Sequence, residues 1–193
     1  DIAAAIAAGQ MVFGESTVQE ALPNIDALRN RGLEWHFIGH LQSNKARFVP
    51  GNFHWLHSLA GLKLAGRLSQ MAQTHRCRLQ TLIEVNITRD PNKQGVAPDE
   101  VFTLIEQIAA AELDGISVRG LMAIGPPPGD DSRSRAAFAS LRALRDACQA
   151  RFGLADFTEL SMGMSNDYVP AILEGATMVR VGSAIFGERV YST

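Results

Sequence analysis

Apolar segments with strand character alternate along this chain with segments of helical periodicity, and short connections join them. We expect seven strands, at residues 11–14, 35–38, 54–58, 81–87, 116–124, 157–161 and 178–182. The intervening segments are amphipathic: in 99–111, Val101, Leu104, Ile105 and Ile108 fall on one helical face. A regular alternation of strand and helix predicts an α/β fold with a parallel sheet.

The number and order of these segments favour a barrel. A (β/α)8 TIM barrel begins with a strand, whereas this chain of 193 residues opens on an alanine-rich helix at 2–8. We therefore predict one barrel domain over residues 1–193 whose first strand precedes Asp1 and is missing here. A doubly wound open sheet is the alternative. It is disfavoured because no Gly-x-Gly-x-x-Gly turn follows the first strand.

Charge and composition exclude several classes of partner. The net charge is −2 and no continuous basic stripe is present, so the sequence does not indicate nucleic-acid binding. No apolar run is long enough to span a bilayer, so we expect no membrane association. Cys77 and Cys148 are too few for a disulfide framework, which favours a reducing compartment and a cytoplasmic protein. With no exposed apolar stripe evident, we expect a monomer.

Two short segments near the end of the chain carry the clearest functional signal. Residues 161–167 (SMGMSND) and 178–183 (MVRVGS) each follow a predicted buried strand with small residues and lead into a helix. Small residues allow backbone N–H groups to converge on an anion, and a helix N-terminus favours negative charge. The last two loops of a barrel often hold a phosphate. We therefore predict a phosphate site at Ser165, Gly182 and Ser183, although each turn alone would be explained by tight turning or helix capping.

Arg180 lies in the last predicted strand, two residues before Gly182. A buried arginine requires an anion, a carboxylate or another acceptor. We predict that it contacts whatever carries the phosphate, the alternative being a structural ion pair with Glu84 or Glu159. His36 and Met122 lie near the ends of other strands and are predicted to line the site, with core packing as the alternative. The histidines lack accompanying cysteine or carboxylate ligands, so no zinc site is indicated, and no nucleophilic triad is supported.

These segments closely resemble the pyridoxal-phosphate homeostasis protein family. The matching words, in order along the whole chain, are FGE with VQE (13–20), WHFIGHLQSNK (35–45), NKQG (92–95), RGLMAI (119–124), SMGMSND (161–167) and MVRVGSAIFG (178–187). The resemblance implies a barrel of the alanine-racemase N-terminal-domain type that holds pyridoxal 5′-phosphate (PLP) at its mouth. It implies that Ser165, Gly182 and Ser183 contact the phosphate beside Met164, and that Arg180 approaches the pyridine nitrogen. His36 and Met122 would line the ring pocket.

The chain departs from the family pattern at two places. The lysine that forms the Schiff base with PLP in the family is expected upstream of Asp1 and is absent from this chain. Lys45, Lys63 and Lys93 are the only lysines, and we interpret them as surface amines rather than substitutes for it. Ser16 stands where the family usually has asparagine after Phe-Gly-Glu, so it keeps a hydroxyl in that part of the pocket but loses the amide.

The resemblance implies a non-catalytic PLP-binding protein for intracellular PLP homeostasis, which buffers the cofactor or delivers it to PLP-dependent apo-enzymes. A racemase of this barrel type uses a second acid or base from an additional domain. We find no such domain in these 193 residues, so the sequence favours binding over catalysis. A small PLP-dependent amino-acid racemase or lyase is the enzymatic alternative. A barrel that binds phosphate esters unrelated to PLP is a third hypothesis.

Overall fold

The computed structural model describes residues 2–187 as seven parallel strands joined by helices. The strands are β1 (Val12–Glu15), β2 (Glu34–Phe37), β3 (Trp55–Leu59), β4 (Leu79–Glu84), β5 (Ile116–Met122), β6 (Glu159–Met164) and β7 (Met178–Arg180). The α-helices are α1 (Ile2–Ala7), α2 (Val18–Ala27), α3 (Leu62–Thr74), α4 (Val101–Ala110), α5 (Asp131–Phe152), α6 (Tyr168–Leu173) and α7 (Ser183–Phe186). Short 3-10 helices cover Arg29–Arg31, Ala46–Phe48 and Pro98–Glu100.

The strand order decides between the two sheet topologies. The sheet runs β1-β2-β3-β4-β5-β6-β7, with every neighbouring pair parallel. In a doubly wound sheet the strand order reverses at a switch point, and the order of the described strands does not reverse. The sheet therefore curls into a nearly closed barrel, and the predicted fold class is confirmed. The strand expected before Asp1 stays a prediction.

The helices pack on the outside of the sheet through the apolar faces that the sequence predicts. On α4, Val101, Leu104, Ile105 and Ile108 are all buried. Their 3.6-residue spacing places them on the single face that leaves water. On α3, Ala65 and Leu68 are likewise buried on one face. The core of strand and helix residues is continuous through the described barrel.

Two expectations about the last strands are wrong. Strand β6 continues to Met164, three residues beyond its predicted end, so residues 161–164 of the SMGMSND segment are strand rather than turn. Strand β7 is not fully buried: Val179 is exposed, while Met178 and Arg180 are half-buried. Strand β7 pairs with β6 alone among the described strands, so its outer side has no neighbour to cover it.

Apolar side chains are exposed on α6 and α7, which removes the basis of the monomer expectation. Val169, Ile172 and Leu173 on α6, and Ile185 and Phe186 on α7, have exposed fractions of 44% to 64%. The monomer therefore stays a prediction without that support.

Candidate functional site

The two small-residue loops come together at the carboxyl end of the barrel. The Ser165 hydroxyl oxygen accepts hydrogen bonds from the backbone N–H of Gly182 and of Ala184, each at 3.2 Å. Ser165 follows β6, whereas Gly182 and Ala184 follow β7, so these contacts join the two loops. Gly182 and Ser183 are exposed and Ser165 is half-buried. A set of N–H and O–H donors thus faces solvent at the rim.

The turn after β6 depends on Gly163 and Asp167. Gly163 has a φ of +91°, and a Cβ there would lie 2.6 Å from the Cβ of Ala171 on α6. Only glycine suits this close approach in the left-handed region. The buried Asp167 carboxylate accepts a hydrogen bond from the Met164 N–H at 2.6 Å. These two features hold Ser165 at the rim.

Arg180 extends from the end of β7 into the barrel. One Nη1–H donates to the Ser161 hydroxyl at 2.6 Å, and one Nη2–H donates to the Ala123 carbonyl at 3.0 Å. Burial lowers the pKa of Arg180 to about 10, although the carboxylates of Asp167 and Glu84 oppose that shift. The guanidinium is therefore a cation at neutral pH, and only two of its five N–H groups are used by these bonds.

The acids considered as alternative partners of Arg180 do not form an ion pair with it. Glu159 accepts a hydrogen bond from the Thr158 hydroxyl at 2.8 Å. Glu84, at the end of β4, is buried, and its Oε2 has no hydrogen-bond partner among the described residues. Burial raises the pKa of Glu84, and the charge of Arg180 partly opposes this. Glu84 thus influences Arg180 through its charge and leaves an acceptor oxygen unpaired beneath the rim.

His36 belongs to a buried polar cluster that the sequence analysis did not identify. Its Nδ1 lies 2.8 Å from His57 Nε2, and its Nε2 lies 2.8 Å from a carboxylate oxygen of Glu34. His57 in turn contacts the Ser161 hydroxyl at 2.8 Å through Nδ1. His57 and Ser161 carry no local sequence signal beyond polar residues within apolar strands. Their pairing spans 104 positions of the chain.

The remaining predicted residues are distributed around the rim. Met122 is the buried last residue of β5, and Met164 is the last residue of β6, with an exposed fraction of 45%. Ser16 follows β1 and lies against the backbone of Gly39. Lys93, interpreted from the sequence as a surface amine, instead donates through Nζ to the Gly125 carbonyl at 2.6 Å and is part-buried.

Comparison with known proteins identifies the family. The family model described as the alanine racemase N-terminal domain matches residues 1–190. The pyridoxal phosphate homeostasis protein of Haemophilus influenzae is 41% identical over 194 residues, which cover 100% of this chain and 81% of that relative. The Escherichia coli protein of the same name is 42% identical, with 99% of this chain and 81% of the relative covered. The chain belongs to the pyridoxal phosphate homeostasis protein family.

A solved structure of a similar protein has the same fold. PipY of Synechococcus elongatus without PLP superposes with a TM-score of 0.90 at 39% identity, covering 96% of this chain and 86% of that one. Its structure with PLP bound gives a TM-score of 0.87. Alanine racemase of Clostridium difficile shares the fold with a TM-score of 0.75 at 13% identity. Within residues 2–187, no helix combines the length and apolarity needed to cross a bilayer.

Proposed function

We propose that this chain binds PLP at the barrel rim and acts in PLP homeostasis, holding the cofactor rather than using it to convert a substrate. The observation that carries the proposal is the convergence of the Gly182 and Ala184 N–H groups, just after the strand that carries the Arg180 cation, with the Ser165 hydroxyl. Relatives that are more than 40% identical carry the name pyridoxal phosphate homeostasis protein. The PLP-bound structure of PipY supports the same ligand.

The residues at the rim suit a phosphate group. A phosphate dianion accepts hydrogen bonds, and the Ser165 hydroxyl and the two backbone amides all donate. Both amides now lie at a long 3.2 Å from the Ser165 oxygen, so exchanging that acceptor for a charged phosphate oxygen strengthens their hydrogen bonds. A Cβ at Gly182 would meet nothing within 4 Å, which leaves open space beside the donors. Ser183 adds an exposed hydroxyl.

The residues below the rim suit the ring of PLP. We place Arg180 against the pyridine nitrogen, because a guanidinium can donate to an unprotonated ring nitrogen but cannot accept from a protonated one. Met122 and Met164 offer apolar contact at the ends of adjacent strands, and we place Ser16, which follows β1, and His36, in β2, at the border of the same pocket. When bound, PLP supplies a reactive aldehyde and an electron-withdrawing ring. Next to the ring, Arg180 would disfavour a protonated ring nitrogen, and this would weaken that electron withdrawal.

Storage or delivery implies recipients, and we propose PLP-dependent apo-enzymes in the cytoplasm. Cys77 and Cys148 are both free thiols in the structure. Free cysteines suit a reducing compartment. The domain organisation proposed here is one PLP-binding barrel.

The proposal is tested by replacing Ser165 with alanine and measuring affinity for inorganic phosphate and for PLP by calorimetry. Removing a hydrogen bond to a charged group costs about 1.5–3 kcal/mol, so we expect Kd to rise by about 10-fold to 100-fold for both ligands. Ser140→Ala is the matched control, because this exposed hydroxyl donates within α5 to the Ala136 carbonyl and lies away from the proposed site. We expect its affinities to equal those of the parent chain.

The two ligands separate the phosphate part of the proposal from the ring part. PLP should bind more tightly than inorganic phosphate, because the ring adds the contacts to Arg180 and Met122. Equal affinities for PLP and for inorganic phosphate would mean that the chain binds the phosphate group but makes no contact with the ring. Unchanged affinity of Ser165→Ala for both ligands would place the phosphate elsewhere and contradict the proposal.

A further inference from the structure

A continuous line of polar side chains runs through the interior of the barrel. It joins Glu34 to His36 at 2.8 Å, His36 to His57 at 2.8 Å, His57 to Ser161 at 2.8 Å, and Ser161 to Arg180 at 2.6 Å. Each distance is that of a good hydrogen bond. The line passes from β2 to β3, crosses to β6 and ends on β7.

The line connects the solvent at the amino end of the barrel to the proposed site at the carboxyl end. The Glu34 side chain, at the start of β2, has an exposed fraction of 46%, so its carboxylate reaches water at the amino end of the barrel. His57 and Ser161 in the middle have exposed fractions of 1% and 0%. Arg180 ends the line at the carboxyl end, beside the proposed phosphate loops. Buried polar groups of this kind are retained only when their hydrogen bonds are satisfied.

The available donors and acceptors fix the direction of every hydrogen bond in the line. Arg180 has no acceptor atom, so it donates to Ser161. The Ser161 hydroxyl proton then has one neighbour in the line that can accept it, His57 Nδ1. A neutral His57 with a bare Nδ1 carries its proton on Nε2 and donates it to His36 Nδ1. His36 likewise carries its proton on Nε2 and donates it to the Glu34 carboxylate.

The charges around the line favour these neutral histidines. Burial lowers the pKa of His57 well below its ordinary value, and the neighbouring His36 and Arg180 lower it further. Burial also lowers the pKa of His36, with His54 contributing, while the contact with Glu34 opposes the shift. Arg180 faces the carboxylates of Glu84 and Asp167 from β4 and from the loop before α6.

We propose that His57 and Ser161 are positioning residues that hold the Arg180 guanidinium in place, and that Glu34 and His36 secure them from the opposite end of the barrel. Ser161 accepts from Arg180, and among its contacts in the line only His57 Nδ1 can accept the Ser161 proton, so both groups of the hydroxyl are paired only in this arrangement. The line thus makes the orientation of Arg180 depend on the Nε2–H tautomer of two histidines. The positioning is a property of the chain itself; its consequence for the PLP ring rests on the proposed function.

The tautomers are tested by 15N NMR of the imidazoles in the uniformly labelled chain at neutral pH. We expect His36 and His57 both to show a protonated Nε2 and an unprotonated Nδ1, because one nitrogen of each ring must accept. A protonated Nδ1 on His57 would overturn the proposal, since Ser161 would then lose its acceptor. This measurement needs no variant and no ligand.

The positioning is tested by hydrogen exchange at the Arg180 guanidinium in three variants. In His57→Phe and Ser161→Ala we expect these N–H groups to exchange about tenfold faster, as fits the loss of one hydrogen bond of about 1.4 kcal/mol. His57→Asn should restore much of the protection, because its amide oxygen can lie near the former Nδ1 and accept from Ser161. Unchanged exchange in both disruptive variants would overturn the proposal.

The outcome is separable from that of the proposed function. His75→Gln, outside the line, serves as the control and should leave Arg180 exchange unchanged. If the exchange results hold but PLP does not bind, the positioning line stands and the proposed function fails. If PLP binds and Arg180 exchange is the same in all variants, the proposed function stands and the positioning line fails. Where His57→Phe does not fold, the tautomers and Ser161→Ala decide.

Discussion

Gly39→Ala should lower the free energy of unfolding by about 3 kcal/mol, at the upper end of the cost of overpacking. Gly39 follows β2, and a Cβ at this position would lie 2.0 Å from the Ser16 carbonyl oxygen and 2.7 Å from its carbonyl carbon. Because the obstructing atoms are backbone, no side-chain rotation can relieve the clash. The ends of β1 and β2 must separate, which also shifts Ser16 and the wall of the proposed pocket. Urea unfolding measures the effect.

The same substitution elsewhere is the control and should have the opposite sign. Gly66 lies inside α3, and a Cβ there would meet nothing within 4 Å. Glycine in a helix interior costs about 0.5–1 kcal/mol relative to alanine, so Gly66→Ala should stabilise the chain by that amount. If both variants shift stability equally, the close approach at Gly39 has no energetic consequence and this prediction is wrong.

Acidification should destabilise the chain well before its carboxylates titrate. His36 and His57 have pKa values lowered by burial from 6.5, so the unfolded chain takes up protons on them at a higher pH than the folded chain does. The neutral histidines therefore contribute stability above the pKa that they have in the unfolded chain, and this stability is lost as pH falls towards their lower pKa in the folded chain. The free energy of unfolding falls by up to about 1.4 kcal/mol per pH unit for each histidine. We expect a loss of about 1–3 kcal/mol between about pH 7.5 and about pH 5.5.

Protonation of Glu84 has the opposite effect on stability. Its pKa is raised from 4.5 by burial, so the folded chain binds this proton first and gains stability as pH falls through the raised value. The loss caused by the histidines should therefore flatten at lower pH. Urea unfolding across the range measures the slope, and His57→Asn, which removes one titrating ring, should make it shallower. An equal slope in that variant would show that His57 does not titrate differently in the two states.

These properties bear on how the protein would hold a cofactor. The proposed phosphate donors lie on two loops at the rim, whereas Arg180 donates to the buried Ser161 hydroxyl within the barrel. A ligand would thus meet an open, replaceable set of amides at one end and a fixed cation at the other. Such an arrangement suits reversible binding, because the phosphate contacts can exchange with water while the ring contact is preorganised.

The sequence alone determined the fold class and the meeting of the two loops that we propose to hold phosphate. Alternating strand and helix patterns with short connections are local signals, and they led to all seven described strands. The meeting of the loops after β6 and β7 also followed, because consecutive parallel strands end at the same edge of a sheet. The predicted end of β6 is wrong because Gly163 and Ser165 resemble turn residues in the sequence, whereas Met164 still pairs with Arg180 of β7 and donates its N–H to Asp167.

Only the tertiary structure decided how the interior is occupied. His57 and Ser161 are single polar residues within apolar strands, and nothing near them in sequence distinguishes a structural polar residue from a partner of Arg180. Their contact joins β3 to β6 across the barrel, between residues that are 104 positions apart in the chain. Local periodicity specifies which face a side chain takes. The distance across a closed sheet is set by all the strands together.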